Sequence, residues 1–142
     1  MQELYQKKLL RLAANATGEG RMPDPDAEGT LDNPTCGDRI TIQIKMDGDK
    51  ITALNHENRS CMLCQASASV LGEHAVGKRL PDILSVREEI EKMLLQSDVS
   101  PALAWDNLKT FAPVAGHPSR HTCVLLPFDA LISVMSKVKV DS

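Results

Sequence analysis

Asn33-Pro34-Thr35-Cys36-Gly37-Asp38 runs almost directly into Ile40-Thr41-Ile42-Gln43-Ile44-Lys45-Met46, and this junction decides how the chain reads. The first stretch is built from turn formers around a cysteine. In the second, every other residue is apolar, the period of a strand with one buried face. Asp47-Gly48-Asp49 follows, and an Asp-Gly pair favours a hairpin turn. Ile51 to Glu57 is then the return strand, with weaker alternation. A two-stranded hairpin is marginal alone, so a third strand is expected, and the stretch before Asn33 can supply it.

Upstream, Leu4, Tyr5, Lys8, Leu9 and Leu12 recur at three- and four-residue steps and predict a helix over 2–14. Thr17 to Asp26 has the composition of a loop, and 15–32 reads as a loop-rich N-terminal segment. Downstream, Ser60 is expected to cap a helix from Cys61 to about His74, ended by Gly77-Lys78. Pro81 suits a first helical turn. Ser85 and Glu88 form a capping box, which predicts a new helix at Val86. Its stripe of Val86, Ile90, Met93 and Leu94 reads as core.

Ser100-Pro101 predicts another helix to about Thr110, and Pro113, Gly116 and Pro118 break the chain. The last helix is expected from about Cys123 to Lys137, with Pro127 in its first turn and Leu126, Ala130, Leu131, Val134 and Met135 on its buried face. The expected fold class is α+β: a small antiparallel three-stranded sheet packed with four to six helices. No repeat or linker divides the chain, so residues 1–142 read as one domain.

The length of 142 residues is enough to bury a core without staples. The net charge of −3 leaves no electrostatic footprint for nucleic acid, and 3% aromatic residues provide no stacking platform for bases. No apolar run is long enough to span a membrane, so no membrane partner is expected. The opening residues lack the apolar core of a secretory signal, so a cytoplasmic location with reduced thiols is expected.

There, four cysteines read better as metal ligands or reactive thiols than as disulfides. Cys36 and Asp38 are two apart, on one side of an extended chain. Cys61 stands where strand gives way to helix, and the helix dipole favours an anion there. Cys123 stands at the opening of the last helix. Three thiolates and a carboxylate suit tetrahedral zinc, or iron in a cluster.

Plainer readings stand beside this one. A buried cysteine is often inert core, and Cys64, beside Ala66 and Ala68, fits that description as well as it fits a spare ligand. Cys61-Met62-Leu63-Cys64 is formally a CxxC pair, without the βαβ pattern or Trp-Cys-Gly-Pro context of thioredoxin-like proteins. The histidines are dispersed. His121, two residues before Cys123, is the one kept as a possible extra ligand.

Asn33-Pro34-Thr35-Cys36-Gly37-Asp38-Arg39-Ile40, Cys61-x-x-x-x-Ala66-Ser67-Ala68-Ser69, Gly77-Lys78 and Val114-x-x-x-Pro118-x-Arg120-x-x-Cys123 together resemble the IscU/NifU-type iron–sulfur cluster assembly scaffolds, in their SufU-like branch. The resemblance covers about residues 33–137. It implies a SufE/NifU-like fold, with Cys36, Asp38, Cys61 and Cys123 as ligands of a 2Fe–2S cluster or of Zn2+. It implies a SufS-like cysteine desulfurase as sulfur donor, Cys36 as sulfur acceptor, and apo-proteins as recipients of the cluster.

The alternative implied is a zinc-dependent sulfurtransferase that stimulates the desulfurase. A purely structural zinc site would be closed by Cys or His, and Asp38 departs from that. A monomer or weak dimer is expected. The chain also departs from the family pattern. It reads Leu12-Ala13-Ala14-Asn15-Ala16-Thr17 where His-Tyr-x-x-Pro-Arg-Asn is usual, and the Leu-Pro-Pro-Val-Lys motif offered to chaperones is absent.

Overall fold

The computed structural model describes residues 2–33, 37–96 and 105–138. The readings placed on Pro34, Thr35 and Cys36, and on Ser100-Pro101, lie outside the described residues. The element order is α1 (Gln2–Asn15), β1 (Ala27–Asn33), β2 (Asp38–Asp47), β3 (Lys50–Arg59), α2 (Met62–His74), α3 (Leu80–Gln96), a long 3-10 segment (Asp106–Gly116), a short one (Pro118–Arg120) and α4 (His121–Lys137).

The three strands form an antiparallel sheet in the order β1-β2-β3. Ile40, Ile42 and Ile44 are fully buried, so the alternation in the sequence marks the core face. Helix α4 packs across β1 and β2, α2 packs against β3 and α4, α1 lies against α2, and α3 lies against α4. The hairpin closes at Gly48 and Asp49, between the paired residues Asp47 and Lys50. The expected third strand is β1, which pairs Asn33 with Asp38 and Leu31 with Ile40. Part of the stretch read as loop, Ala27–Asn33, is therefore strand.

The segment before β1 straps the outer edge of β3. Gly18 accepts from the His56 amide at 2.9 Å, and the Gly20 amide donates to the His56 carbonyl at 2.9 Å. This covers an edge that would otherwise expose unpaired backbone. The strap crosses α2 at Gly72, where an added Cβ would lie 1.9 Å from the Thr17 carbonyl oxygen, so only glycine fits.

Three helix boundaries differ from those expected. Cys61, not Ser60, is the N-cap of α2, and the Ser60 hydroxyl donates instead to the Asn58 side chain. Helix α3 runs unbroken through Ser85. Ile83, Val86, Ile90, Met93 and Leu94 form one continuous buried stripe, and burial of that face overrides a local cap signal. Its start is marked by Asp82, which accepts from the Arg79 amide at 2.9 Å. Helix α4 begins at His121, so Pro127 falls in the second turn rather than the first.

The long 3-10 segment also differs from the expected helix and its breaks, since it passes through Pro113. Trp105, Leu108, Phe111 and Val114 are buried, one residue in three. A 3-10 helix has three residues per turn and stacks side chains at i and i+3, so this spacing puts all four on one face. Trp105 stacks on His74, with ring centroids 5.1 Å apart, and tilts against Phe128 at 5.9 Å.

Candidate metal centre

Three distant pieces of chain meet at one end of the sheet. Asp38 opens β2, Cys61 joins β3 to α2, and Cys123 lies in the first turn of α4. One ligand atom from each lies within 4.8 Å of the other two. Asp38 and Cys123 are buried and Cys61 is half-buried. Neighbouring donors in a tetrahedral site with bonds of about 2.3 Å stand about 3.8 Å apart. The Cys61 sulfur lies 3.7 Å from Asp38 Oδ2. The spacing and the sulfur-plus-carboxylate set therefore fit zinc or iron.

Local structure explains why the groups converge. Gly37 has φ +72, a left-handed conformation that glycine adopts without strain, and its amide donates to the Asn33 carbonyl at 2.8 Å. That turn delivers Asp38 to the first position of β2. Asp38 Oδ1 accepts from the Cys61 amide at 2.9 Å. The carboxylate thus does for α2 what the third-residue side chain of a capping box usually does, from a different strand. Its second oxygen faces the Cys61 sulfur. Cys61 itself makes no side-chain cap bond. Cys123 is held from below, because α2 presents small residues to α4 and Ser67 Oγ donates to the Val124 carbonyl at 2.6 Å.

A chain of hydrogen bonds braces the junction of β3 and α2. His56 Nε2 meets the Thr17 carbonyl at 2.9 Å, and a carbonyl can only accept, so this nitrogen carries the proton. His56 Nδ1 faces the Asn58 amide at 3.2 Å. The Ser60 hydroxyl donates to Asn58 Oδ1, and the Gln65 amide donates to the Ser60 carbonyl. Burial holds the His56 imidazole below its ordinary range, opposed by the Thr17 hydrogen bond and the charge of Glu19. Composition gave no hint of this brace.

Of the residues singled out from sequence, Asp38, Cys61 and Cys123 are brought together, and Cys36 lies outside the described residues. His121 is turned elsewhere, with Nε2 bonded to the carbonyls of Val114 and Ala115 at 3.1 and 3.2 Å. Cys64 is fully buried among core residues one turn into α2. Burial pushes its thiol up to about 12, a hydrogen bond with Ser60 pulls the other way, and the charges of Asp38 and Cys61 add to the rise.

Two depressions flank the site. One, of about 500 Å3, is lined by Leu9, Cys61, Met62, Val114, His117 and Arg120. The other, of about 440 Å3, is lined by Asp32, Asn33, Asp38, Arg39 and Arg59. The half-buried sulfur borders the first and the carboxylate the second. Among the described residues no helix is long and apolar enough to cross a membrane.

Comparison with known proteins finds that the family described as "NifU-like N terminal domain" matches residues 4–123. The chain is 27% identical over 135 residues to the iron–sulfur cluster assembly scaffold protein IscU of Thermotoga maritima, covering 95% of this chain and 94% of that one. It is 27% identical over 134 residues to the zinc-dependent sulfurtransferase SufU of Bacillus subtilis, covering 94% and 90%. Among solved structures, the N-terminal part of a nitrogen-fixing NifU-like protein from Brucella abortus superposes with a TM-score of 0.88 at 30% identity, covering 97% of this chain and 96% of that one.

Proposed function

The chain belongs to the family of NifU-like N-terminal domains, and from that premise we propose that it is a scaffold on which an iron–sulfur cluster is assembled and from which the cluster passes to apo-proteins. The observation that carries this reading is the convergence of Asp38, Cys61 and Cys123 within 4.8 Å. Two thiolates and a carboxylate on three separate elements hold iron as cargo. In this reading Cys36, next in sequence to the turn that presents Asp38, is the fourth ligand and the acceptor of sulfur from a cysteine desulfurase.

A carboxylate is a weaker ligand for a soft metal than a thiolate. Asp38 is then the ligand that lets go, and it stays in place when it does, because its other oxygen remains bonded to the Cys61 amide. An Asp38→Ala variant that transfers clusters as fast as wild type would refute that role.

The likeness to a zinc-dependent sulfurtransferase over 94% of the chain supports a second reading. In it, zinc holds the same residues and the protein carries sulfur rather than clusters. The two are separated by metal and acid-labile sulfide content after anaerobic purification at low expression. Iron with matching sulfide and a visible chromophore identifies the scaffold. About one zinc per chain without sulfide identifies the sulfur carrier. Neither metal overturns the site.

A further inference from the structure

Cys64 is the one cysteine that neither reading uses. It nevertheless stands in a fixed relation to Cys61. Cys61 is the N-cap of α2, with extended backbone (φ −68, ψ 167), and Cys64 is the third helical residue. These are the positions of a capping box, whose two side chains reach toward each other's backbone across the first turn. Side chains in a helix lean toward its N-terminus, so the Cys64 sulfur is directed back at the Cys61 end.

Neither sulfur is held by a cap. The Cys61 amide is bonded by Asp38, and the Cys61 side chain makes no capping bond of its own. The two thiols also differ in access. Cys61 lines the apolar depression, while Cys64 is fully buried. One accessible thiol at a helix N-terminus with a secluded thiol one turn behind is the arrangement of a dithiol couple.

We infer that Cys64 is the resolving thiol of Cys61, a role that rests on the reading of the site as a sulfur acceptor. Sulfur delivered by a desulfurase is at the sulfane level, whereas a cluster contains sulfide, so two electrons must come from somewhere. With a persulfide on Cys61, received directly or by exchange from another thiol of the site, the Cys64 sulfur attacks the Cys61 Sγ. The Cys61–Cys64 bond forms and the bond from Cys61 to the outer sulfur breaks. The outer sulfur leaves as hydrosulfide, carrying the Cys64 proton. The two cysteines are oxidised to a disulfide, and the sulfane sulfur is reduced to sulfide beside Asp38 and Cys123. A thiol reductant resets the couple.

The test uses the full-length reduced chain, freed of metal by chelation under anaerobic conditions. The chain is treated with inorganic polysulfide, passed through a desalting column and digested with trypsin. Ser60 to Lys78 falls in one peptide that holds both cysteines. Wild type should yield this peptide two hydrogen masses lighter, as an internal disulfide. Cys64→Ser should instead retain a persulfide on Cys61, at a level at least about tenfold above wild type. Both proteins should take up zinc, which shows that the site is formed.

If Cys64→Ser fails to take up zinc, Cys64→Ala replaces it, and the wild-type disulfide map decides the matter without either variant. A stable Cys61 persulfide in wild type overturns the inference and leaves the acceptor reading intact. So does a disulfide joining Cys61 to Cys36 or Cys123. Absence of sulfur from Cys36, Cys61 and Cys123 alike overturns both.

Discussion

Helices α2 and α3 begin in contrasting ways. The amide just ahead of α3, at Arg79, is bonded by Asp82, three residues along the same chain. The corresponding amide of α2, at Cys61, is bonded by Asp38, which lies 23 residues away on β2. A local cap serves the helix alone. A remote cap ties the helix to another element and spends only one of the carboxylate's two oxygens, leaving the second for a ligand. The same residue type at two helix starts thus gives a stabilising detail in one place and a chemical site in the other.

The largest effect expected from this contrast is that of Asp38→Ala. It removes a donor and a cap together. Loss of a partner merely behind a metal ligand costs about 10–100-fold in affinity, so loss of a donor should weaken zinc binding by more than about 100-fold. Competition with a chromophoric chelator measures it. The metal-free chain should also lose about 1–3 kcal/mol in urea unfolding, because the Cys61 amide is left without its acceptor.

Asp38→Asn separates the two roles. Asparagine keeps an oxygen acceptor for the Cys61 amide, so the metal-free stability should stay within about 0.5 kcal/mol of wild type while zinc binding still falls. Equal zinc affinity would break the comparison. Asp82→Ala should do the reverse, costing about 1 kcal/mol in unfolding with zinc affinity unchanged.

Acid should loosen the α2 end selectively. Burial holds the folded His56 below its ordinary 6.5, so the unfolded chain takes up this proton first. The stability that the neutral ring confers is complete above pH 6.5 and is lost as the pH falls from there through the folded value. Hydrogen exchange between pH 7 and 5 should then show faster loss of protection at residues 65–68 than at 83–86. His56→Gln should remove the difference. The smallest effect is that of Ser85→Ala, within about ±0.5 kcal/mol, because Ser85 lies on the exposed face inside α3.

The features legible in the sequence are those whose signal is a local period. The isoleucines of β2 alternate because a strand turns its side chains every two residues, and all three reach the core. The stripes of α3 and α4 are buried as their spacing predicts. The 3-10 segment left an equally local signal in the spacing of Trp105, Leu108, Phe111 and Val114, and it yields to a period of three rather than 3.6. Ser60 misled because it is a good cap residue beside a better-placed competitor. Ser85 misled because a capping box carries no information about what the face of the helix buries.

The amino-acid sequence by itself determined the kinds of donor atoms present and the elements on which they sit, since both depend on residue type and backbone period. Only the tertiary structure decided that Asp38, Cys61 and Cys123 meet, that His121 turns away to the Val114 and Ala115 carbonyls, and that Cys64 is sealed behind Cys61. Strand register and helix packing set those distances. They are satisfied by the burial of whole faces, and no short stretch of chain carries them.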